Sequence, residues 1–382
     1  MLRFMTAGES HGKGLIVIID GLPRGIRVDE SFIAAELAKR KSGFGRGPRM
    51  ERKIEYFELL SGIKDGWTTG SPVSIFIANE KLCIEEEAAN RKARGFVAVS
   101  RPGHADLAGA MKFLTDDLFI VSERASARET AARVAAGAIF KSFLLSFKIS
   151  IFSHTISVGK VSYKEMDLPI EMLRRIPNHS PLRCVDKVLE KKMMREIDRA
   201  AREGDSVGGS FQIVAAAVPP GLGSFTQWDR RSDAMISQAL MSIPGVKAVE
   251  IGNGIKGASS FGSNFHDEIF YDGRRRKFYR GGNNAGGIEG GITNGEEIRV
   301  KAFLKPVPTL RKPLQSISLK TKKREKASIV RSDVCPIVAA SVIGESMLAF
   351  VLASLLLEKF GGDTIAETLA NYNSYMRSLK KL

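Results

Sequence analysis

The sequence predicts one α+β domain over residues 1–382, with strands that pair mainly as antiparallel neighbours. Three observations lead there. Short apolar runs and longer helical stretches alternate irregularly instead of in strict strand–helix–strand order. No low-complexity linker and no short-period repeat divides the chain. Hydrophobic residues make up 43% and charged residues 26% of it, enough for a large core and too apolar for wholesale disorder.

The elements follow in order. Residues 15–20 form a continuous apolar run ended by Gly21, which predicts a buried strand. Asp29 is placed to cap a helix over 30–41, and Gly43 stops it. The segment 39–53 then carries Lys39, Arg40, Lys41, Arg46, Arg49, Arg52 and Lys53 among Gly43, Gly45, Gly47 and Pro48, so it is a basic loop. A strand is predicted over 71–78, and helices over 105–118 and 125–145, the second rich in alanine. A charged helix over 187–203 is stopped by Gly204. Strand 209–218, helix 231–242 and strand 246–251 come next. Residues 281–295 hold seven glycines in fifteen positions. Strand 298–304 is followed by an extended basic connection over 305–326 and a closing helix over 338–360. The longest apolar stretch, 347–357, is about half of a membrane span, so that helix is expected to be buried inside the protein.

Lysine plus arginine total 58 against 42 acidic residues, a net charge of +16. Such a surplus calls for anionic partners: nucleic acid, an anionic membrane, or a small molecule bearing several phosphates or carboxylates. Cys83, Cys184 and Cys335 are odd in number and far apart, which suggests neither a disulfide framework nor a metal site. No signal-peptide pattern precedes the first motif, and a reducing cytoplasm is expected.

Two of the five histidines stand in glycine-flanked polar motifs, Gly8-Glu9-Ser10-His11-Gly12 and Arg101-Pro102-Gly103-His104-Ala105-Asp106. Small neighbours let an imidazole and the backbone approach a ligand; the plain alternative is two polar turns whose histidines bond their own loops. The glycine-supported arginines from Arg40 to Arg49 suit a forked clamp for phosphate or carboxylate, or simply complement a helix C-terminus. Arg124 and Arg128, spaced i,i+4 around Ser126, read as an anion site at a helix start or as surface ion pairs with Glu123 and Glu129. Arg331-Ser332-Asp333 precedes the last helix, as a cap or as an anion ligand with a proton acceptor. Gly252-Asn253-Gly254-Ile255-Lys256-Gly257 matches a dinucleotide fingerprint in letters, but no convincing helix follows, so a dinucleotide site is rejected.

In their order and number these motifs resemble the chorismate synthase family along nearly the whole chain. The resemblance also takes in Ser42-Gly43-Phe44-Gly45-Arg46-Gly47, Ser180-Pro181-Leu182-Arg183-Cys184, Gly204-Asp205-Ser206-Val207-Gly208-Gly209, Gly286-Gly287-Ile288-Glu289-Gly290-Gly291-Ile292 and Lys305-Pro306-Val307-Pro308-Thr309. It implies a β-α-β sandwich assembled as a homotetramer. It implies a lyase that converts 5-enolpyruvylshikimate 3-phosphate to chorismate by 1,4-anti elimination of phosphate, and that requires reduced FMN without net redox change. Carried over by motif, His104 would protonate or stabilise the leaving phosphate. His11 would protonate the flavin, and Asp333 would accept a proton by way of flavin N5. Ser10, Arg40, Arg46, Arg49, Arg128 and Arg331 match substrate ligands. Arg124, Ala125, Ser126, Pro244, Gly245, Gly290, Lys305, Pro306, Val307, Pro308, Thr309 and Arg331 match flavin positions. The chain departs from the family at Phe113, Leu114 and Leu118, and at Pro244-Gly245, where a polar–alanine pair is usual.

Fungal members reduce their own flavin with NADPH. This sequence shows neither a reductase domain nor a nucleotide fingerprint, so an external flavin reductase is the expected partner. The competing reading is a basic nucleic-acid-binding protein, supported by the charge and the lysines of 320–326. Against it, Phe44 and Tyr56 do not interleave with the basic residues as a stacking platform, and no RNA-binding motif is present. Neither nucleic acid, membrane nor metal is expected as a partner.

Overall fold

The protein is described by a computed structural model covering residues 1–47, 55–79, 99–163, 168–177, 180–329 and 333–382. Two antiparallel sheets enclose a layer of helices. In the first sheet the spatial order is Arg3–Gly8, Gly14–Asp20, Val73–Ala78, Phe57–Ser61. In the second it is Val246–Ile251, Ile298–Leu304, Gly209–Ala216, Ser150–Val158, Val161–Ser162. Helix Thr130–Leu145 packs on the first sheet, helix Ile337–Phe360 packs on the second, and the two helices pack on each other. This is the expected α+β class and the expected sandwich.

Composition explains the layers. Along Gly14–Asp20 the side chains of Leu15, Val17 and Ile19 are buried while Ile18 faces outward, the period-two pattern of a sheet with one covered face. Ile337–Phe360 is apolar on every side because it is covered on every side: it is long enough to cross a membrane, yet 83% of its apolar window is buried inside the protein. A Cβ on Gly137 would lie 2.2 Å from Ser346 Cβ, so only glycine lets the two central helices approach this closely.

Helix Glu30–Lys41 begins as expected, with Asp29 Oδ1 accepting from the Ser31 N–H at 2.8 Å. Helices Lys187–Arg202, Ser232–Met241 and Ile337–Phe360 and strands Val246–Ile251 and Ile298–Leu304 fall within a residue or so of expectation. Strand Gly209–Ala216 stops before 218 because Ala217 turns the chain at φ +60°. The region 105–145 differs most. Helix Asp106–Phe113 ends at Leu114, which adopts φ +51°, and Leu118–Ala125 starts afresh under an Asp117 cap. Ser126 then breaks the chain into a 3₁₀ turn, Ala127–Glu129, before Thr130–Leu145. No glycine or proline marks either break. Strands Arg3–Gly8 and Ser150–Val158, helix Ile365–Leu379, and a hairpin of Gln315–Ile317 with Arg324–Lys326 inside the basic connection were not expected. Gly252 onward opens only a four-residue helix, Gly254–Gly257, in keeping with rejection of a dinucleotide site.

Candidate active site

Most of the described candidate residues gather at one end of the sandwich. The turn carrying His11 joins Arg3–Gly8 to Gly14–Asp20, and Asn79 leaves the adjoining end of Val73–Ala78, whose Ala78 pairs with Gly14. In the second sheet, Val246 pairs with Leu304 and Leu304 with Gly209, so the Pro244–Gly245 turn and Lys305 lie at a common end. Gly209 abuts Ile337, the first residue of the second central helix.

His11 is held by a carboxylate. Its Nδ1 lies 2.5 Å from Glu123 Oε1, its backbone N–H donates to Glu123 Oε2 at 2.9 Å, and Ser10 Oγ donates to Oε1 at 3.2 Å. Burial would raise the Glu123 carboxyl, but these hydrogen bonds and the His11 charge hold it below the usual range. Asn79 Nδ2 donates to the carbonyls of Glu9 and Gly12 at 2.9 and 2.8 Å, while its Oδ1 accepts from Arg128 Nε at 2.9 Å. One amide thus ties the histidine turn to an arginine.

Arg128 continues the chain of contacts. Its Nη1 and Arg40 Nη2 both donate to Glu55 Oε1 at 2.5 Å. Burial would raise Glu55, and the two guanidinium charges more than offset it. Arg40 lies deeper, its side chain 4% exposed against 19% for Arg128. Arg40 and Glu55 both act electrostatically on Arg46, which is lowered from the usual arginine value chiefly by burial and supported by Asp333. Arg46 Nη1 donates to Asp333 Oδ2 at 2.6 Å, and the Gly47 N–H donates to Oδ1 at 2.7 Å. Among the described residues, Arg40 Nε, Arg46 Nε and Glu55 Oε2 are buried without a hydrogen-bond partner. At Gly45 the loop is packed: a Cβ there would meet Ile197 Cγ2 at 2.7 Å, and Gly45 O accepts from the Val334 and Cys335 N–H groups. Burial pushes the Cys335 thiol up to about 12, so it is no thiolate nucleophile.

His104 forms the other part. Its Nδ1 lies 2.5 Å from Asp106 Oδ1, and Arg101 grips Asp106 through Nε, Nη2 and its backbone N–H at 2.7, 2.8 and 2.9 Å. Burial opposes ionisation of Asp106, but Arg101 and His104 hold it far below the carboxylate range. Lys305 Nζ donates to Gly103 O at 2.5 Å, and the Lys305 N–H donates to Gly245 O at 2.9 Å. The loop around Ser206 joins this part to Asp333: Ser206 Oγ donates to Val307 O at 2.7 Å, and the Val207 N–H to Val334 O at 3.0 Å.

The structure therefore brings together Ser10, His11, Arg40, Arg46, Arg128 and Asp333, and separately links His104, Gly245, Lys305 and Val307. Arg49 and Arg331 lie outside the described residues. Arg124 and Arg128 do not share a helix face, because Ser126 breaks the helix between them. Arg124 turns to Thr6 O and Thr6 Oγ1 at 2.8 and 2.6 Å. Glu129 pairs with Arg133, which reaches Ser242 Oγ at 2.8 Å beside the Pro244 turn. Gly290 is exposed in the turn between Ile288–Glu289 and Ile292–Thr293, and no described contact joins it to 305–309. Sequence reasoning missed Glu55 and Asn79, and named Glu123 only as a surface ion-pair partner of the arginines, whereas it is buried and holds His11. Among the described residues no group of histidine, cysteine or acidic side chains is placed to hold a metal ion.

A chorismate synthase family model matches residues 2–357. A curated protein from Syntrophomonas wolfei named chorismate synthase is 47% identical over 390 residues, covering 100% of this chain and 98% of that one. One from Geobacter sulfurreducens with the same name is 45% identical over 393 residues, covering both chains fully. A solved structure described as "Crystal Structure of Chorismate Synthase" superposes with a TM-score of 0.82 at 38% identity, covering 100% of this chain and 99% of that one.

Proposed function

The chain belongs to the chorismate synthase family, and from that premise we propose that it eliminates phosphate from 5-enolpyruvylshikimate 3-phosphate in a 1,4-anti sense to give chorismate, with reduced FMN as cofactor. One observation carries the reading: His11, Arg128, Arg40, Arg46 and Asp333, far apart in sequence, form one contiguous cluster at the end of the sandwich. The substrate bears a phosphate and two carboxylates. Arginine forks suit such groups, and the buried, unpartnered Nε atoms of Arg40 and Arg46 offer donors where the protein supplies no acceptor among the described residues. This gives the +16 charge a small-molecule purpose.

The residues also fit a flavin. Gly290 has φ +59° with no atom within 4 Å of where a Cβ would sit, so flat backbone is open to close approach there, while Gly245, at φ +87° beside Lys305, is packed against Leu304 and offers its backbone only. Ala125, Ser126, Pro244, Gly245, Gly290, Lys305 to Thr309 and Arg331 would hold it. Arg124, whose guanidinium is engaged with Thr6, would contribute through its backbone. Bound reduced FMN would supply electron density as the allylic phosphate departs, without net redox change.

The chain's own groups do the rest. Arg128, Arg46, Arg49, Arg331 and Ser10 bind the substrate's anions, and the deeper Arg40 adds its charge from behind Glu55. His104 gives a proton or hydrogen bond to the leaving phosphate. His11 holds a proton toward the cofactor. Asp333 takes the proton the substrate loses, with Arg46 at 2.6 Å to stabilise its carboxylate. On this reading the chain works in the cytoplasm as a homotetramer and takes reduced FMN from an external reductase. Titrating the protein with oxidised FMN, then adding substrate, tests the site: the visible flavin band should shift on ternary complex formation, and an unperturbed band at saturating substrate contradicts the assignment.

A further inference from the structure

Both candidate catalytic histidines are held by a carboxylate at the same ring nitrogen. Glu123 Oε1 lies 2.5 Å from His11 Nδ1, and Asp106 Oδ1 lies 2.5 Å from His104 Nδ1. The two carboxylates come from helices Leu118–Ala125 and Asp106–Phe113, which pack against each other. One helical hairpin thus aims both imidazoles.

The hydrogen positions follow from the acceptors. An ionised carboxylate has no proton to give, and both carboxyls are held below their usual range, against burial, by the groups around them. A bare Nδ1 at 2.5 Å would set one lone pair against another. Nδ1 therefore carries the hydrogen and donates it. At His104 a rival donor exists in Arg101 Nη2, 3.2 Å from Nδ1. That nitrogen already has a better acceptor in Asp106 Oδ1 at 2.8 Å, and the shorter 2.5 Å contact decides for the carboxylate. At His11 the rival is Ser10 Oγ at 2.9 Å, which also has Glu123 Oε1 as an acceptor.

We propose that Glu123 and Asp106 are positioning residues that fix a hydrogen on Nδ1 and so present Nε2 of His11 and Nε2 of His104 as the reacting nitrogens. The two pairs differ in what else the carboxylate holds. Asp106 also anchors Arg101, so replacing it disturbs the loop. The Glu123 carboxylate takes hydrogen bonds from the Ser10–His11 turn alone among the described residues, so Glu123→Gln is the cleaner change. The amide keeps the shape but can donate to a bare Nδ1, which frees the ring to exchange tautomers.

The test is the long-range ¹H–¹⁵N spectrum of the full chain labelled at histidine nitrogens, with His11 and His104 assigned through His11→Gln and His104→Gln. At neutral pH both residues should show a protonated Nδ1 in the unsubstituted protein. Glu123→Gln should move the His11 Nδ1 resonance toward the unprotonated position and leave His104 in place. The kcat for phosphate release should fall about 10²–10⁴-fold, as when the carboxylate behind a catalytic histidine becomes an amide, with substrate KM within about threefold and melting temperature little changed. A neutral Nε2–H tautomer of His11, or a His11 signal indifferent to Glu123→Gln, overturns the proposal. Asp106→Asn should act likewise at His104; if that variant does not fold, the tautomer of His104 in the unsubstituted protein decides that half. The kinetic arm rests on the lyase reading and the spectral arm does not: expected spectra from a protein that releases no phosphate would sink that reading and leave the positioning claim standing.

Discussion

At Asp333 the surroundings separate two roles that the sequence left open. A helix cap would sit beside the first turn and accept its free N–H groups. The last helix instead begins at Ile337 behind Pro336 with no side-chain cap, and the Asp333 carboxylate takes Arg46 Nη1 and the Gly47 N–H. Asparagine there keeps the size, and its one amide oxygen can keep the contact from Arg46 Nη1 while giving up the one from the Gly47 N–H, but it cannot serve as a base. Asp333→Asn is therefore expected to keep FMN and substrate affinity within several-fold, while single-turnover phosphate release falls about 10²–10⁴-fold. Full turnover by this variant would make Asp333 an anchor for Arg46 and nothing more. The chemistry-bearing residues were legible because glycine and arginine crowd around them in sequence. Their holders were not. Glu123 lies 112 residues from His11, and Glu55 lies 73 from Arg128. Glu55 stands in no motif, and Glu123, at the edge of the Arg124–Arg128 motif, reads there as a surface ion-pair partner, since a carboxylate that positions a partner needs no special neighbours of its own.

Three helices are pinned together by buried charge beneath the site. Lys141 Nζ donates to Glu36 Oε2 and Glu345 Oε2, both at 2.5 Å, and Glu345 Oε1 also receives Arg183 Nη2 and Ser153 Oγ at 2.6 Å. Burial alone would neutralise Lys141, yet the two carboxylates keep it charged, and Glu36 is held at about 2 against its own burial by Lys141 and Lys39. Lys141→Met leaves the buried Glu36 and Glu345 carboxylates with Lys39 and Arg183 as their remaining cations and should cost about 3–5 kcal/mol in urea unfolding. The pH dependence has a definite sign. A depressed carboxyl contributes fully above its unfolded value of 4.5 and loses that contribution as the pH falls toward 2. Protonation also relieves the repulsion in the variant. The stability gap between the two proteins should thus be widest near neutrality and narrow below about pH 4.5; a gap constant with pH contradicts this account. At this scale the sequence was most legible where caps and periodicity agree, as at Asp29 and Glu30–Lys41. Helix Ile365–Leu379 was missed although Thr364 and Glu367 form a capping box. Strand Ser150–Val158 was hidden because Ser153, His154 and Thr155 are polar yet buried. Leu114 and Ser126 end helices by local geometry that no breaker residue announces.

In the whole molecule the two central helices direct the same ends toward the site. Thr130–Leu145 begins next to Glu129, whose carboxylate accepts from Thr6, and Ile337–Phe360 begins next to Asp333. Both N-termini bring partial positive charge to the end of the sandwich where the arginines gather, a setting for a substrate and cofactor that carry phosphates. The class of fold was readable from pattern and composition. The order of layers was not, because sheet–helix–helix–sheet stacking depends on pairings between segments far apart in sequence, and only the family resemblance implied it. The central claim is elimination of phosphate dependent on reduced flavin at this site. Its most direct test is an anaerobic single turnover with 5-enolpyruvylshikimate 3-phosphate and chemically reduced FMN, following phosphate and chorismate together. Equal amounts of phosphate and chorismate, about one per chain, with neither formed when the flavin is oxidised or omitted, are the predicted result. Absence of both products with reduced FMN bound, or the same release without flavin, would contradict it.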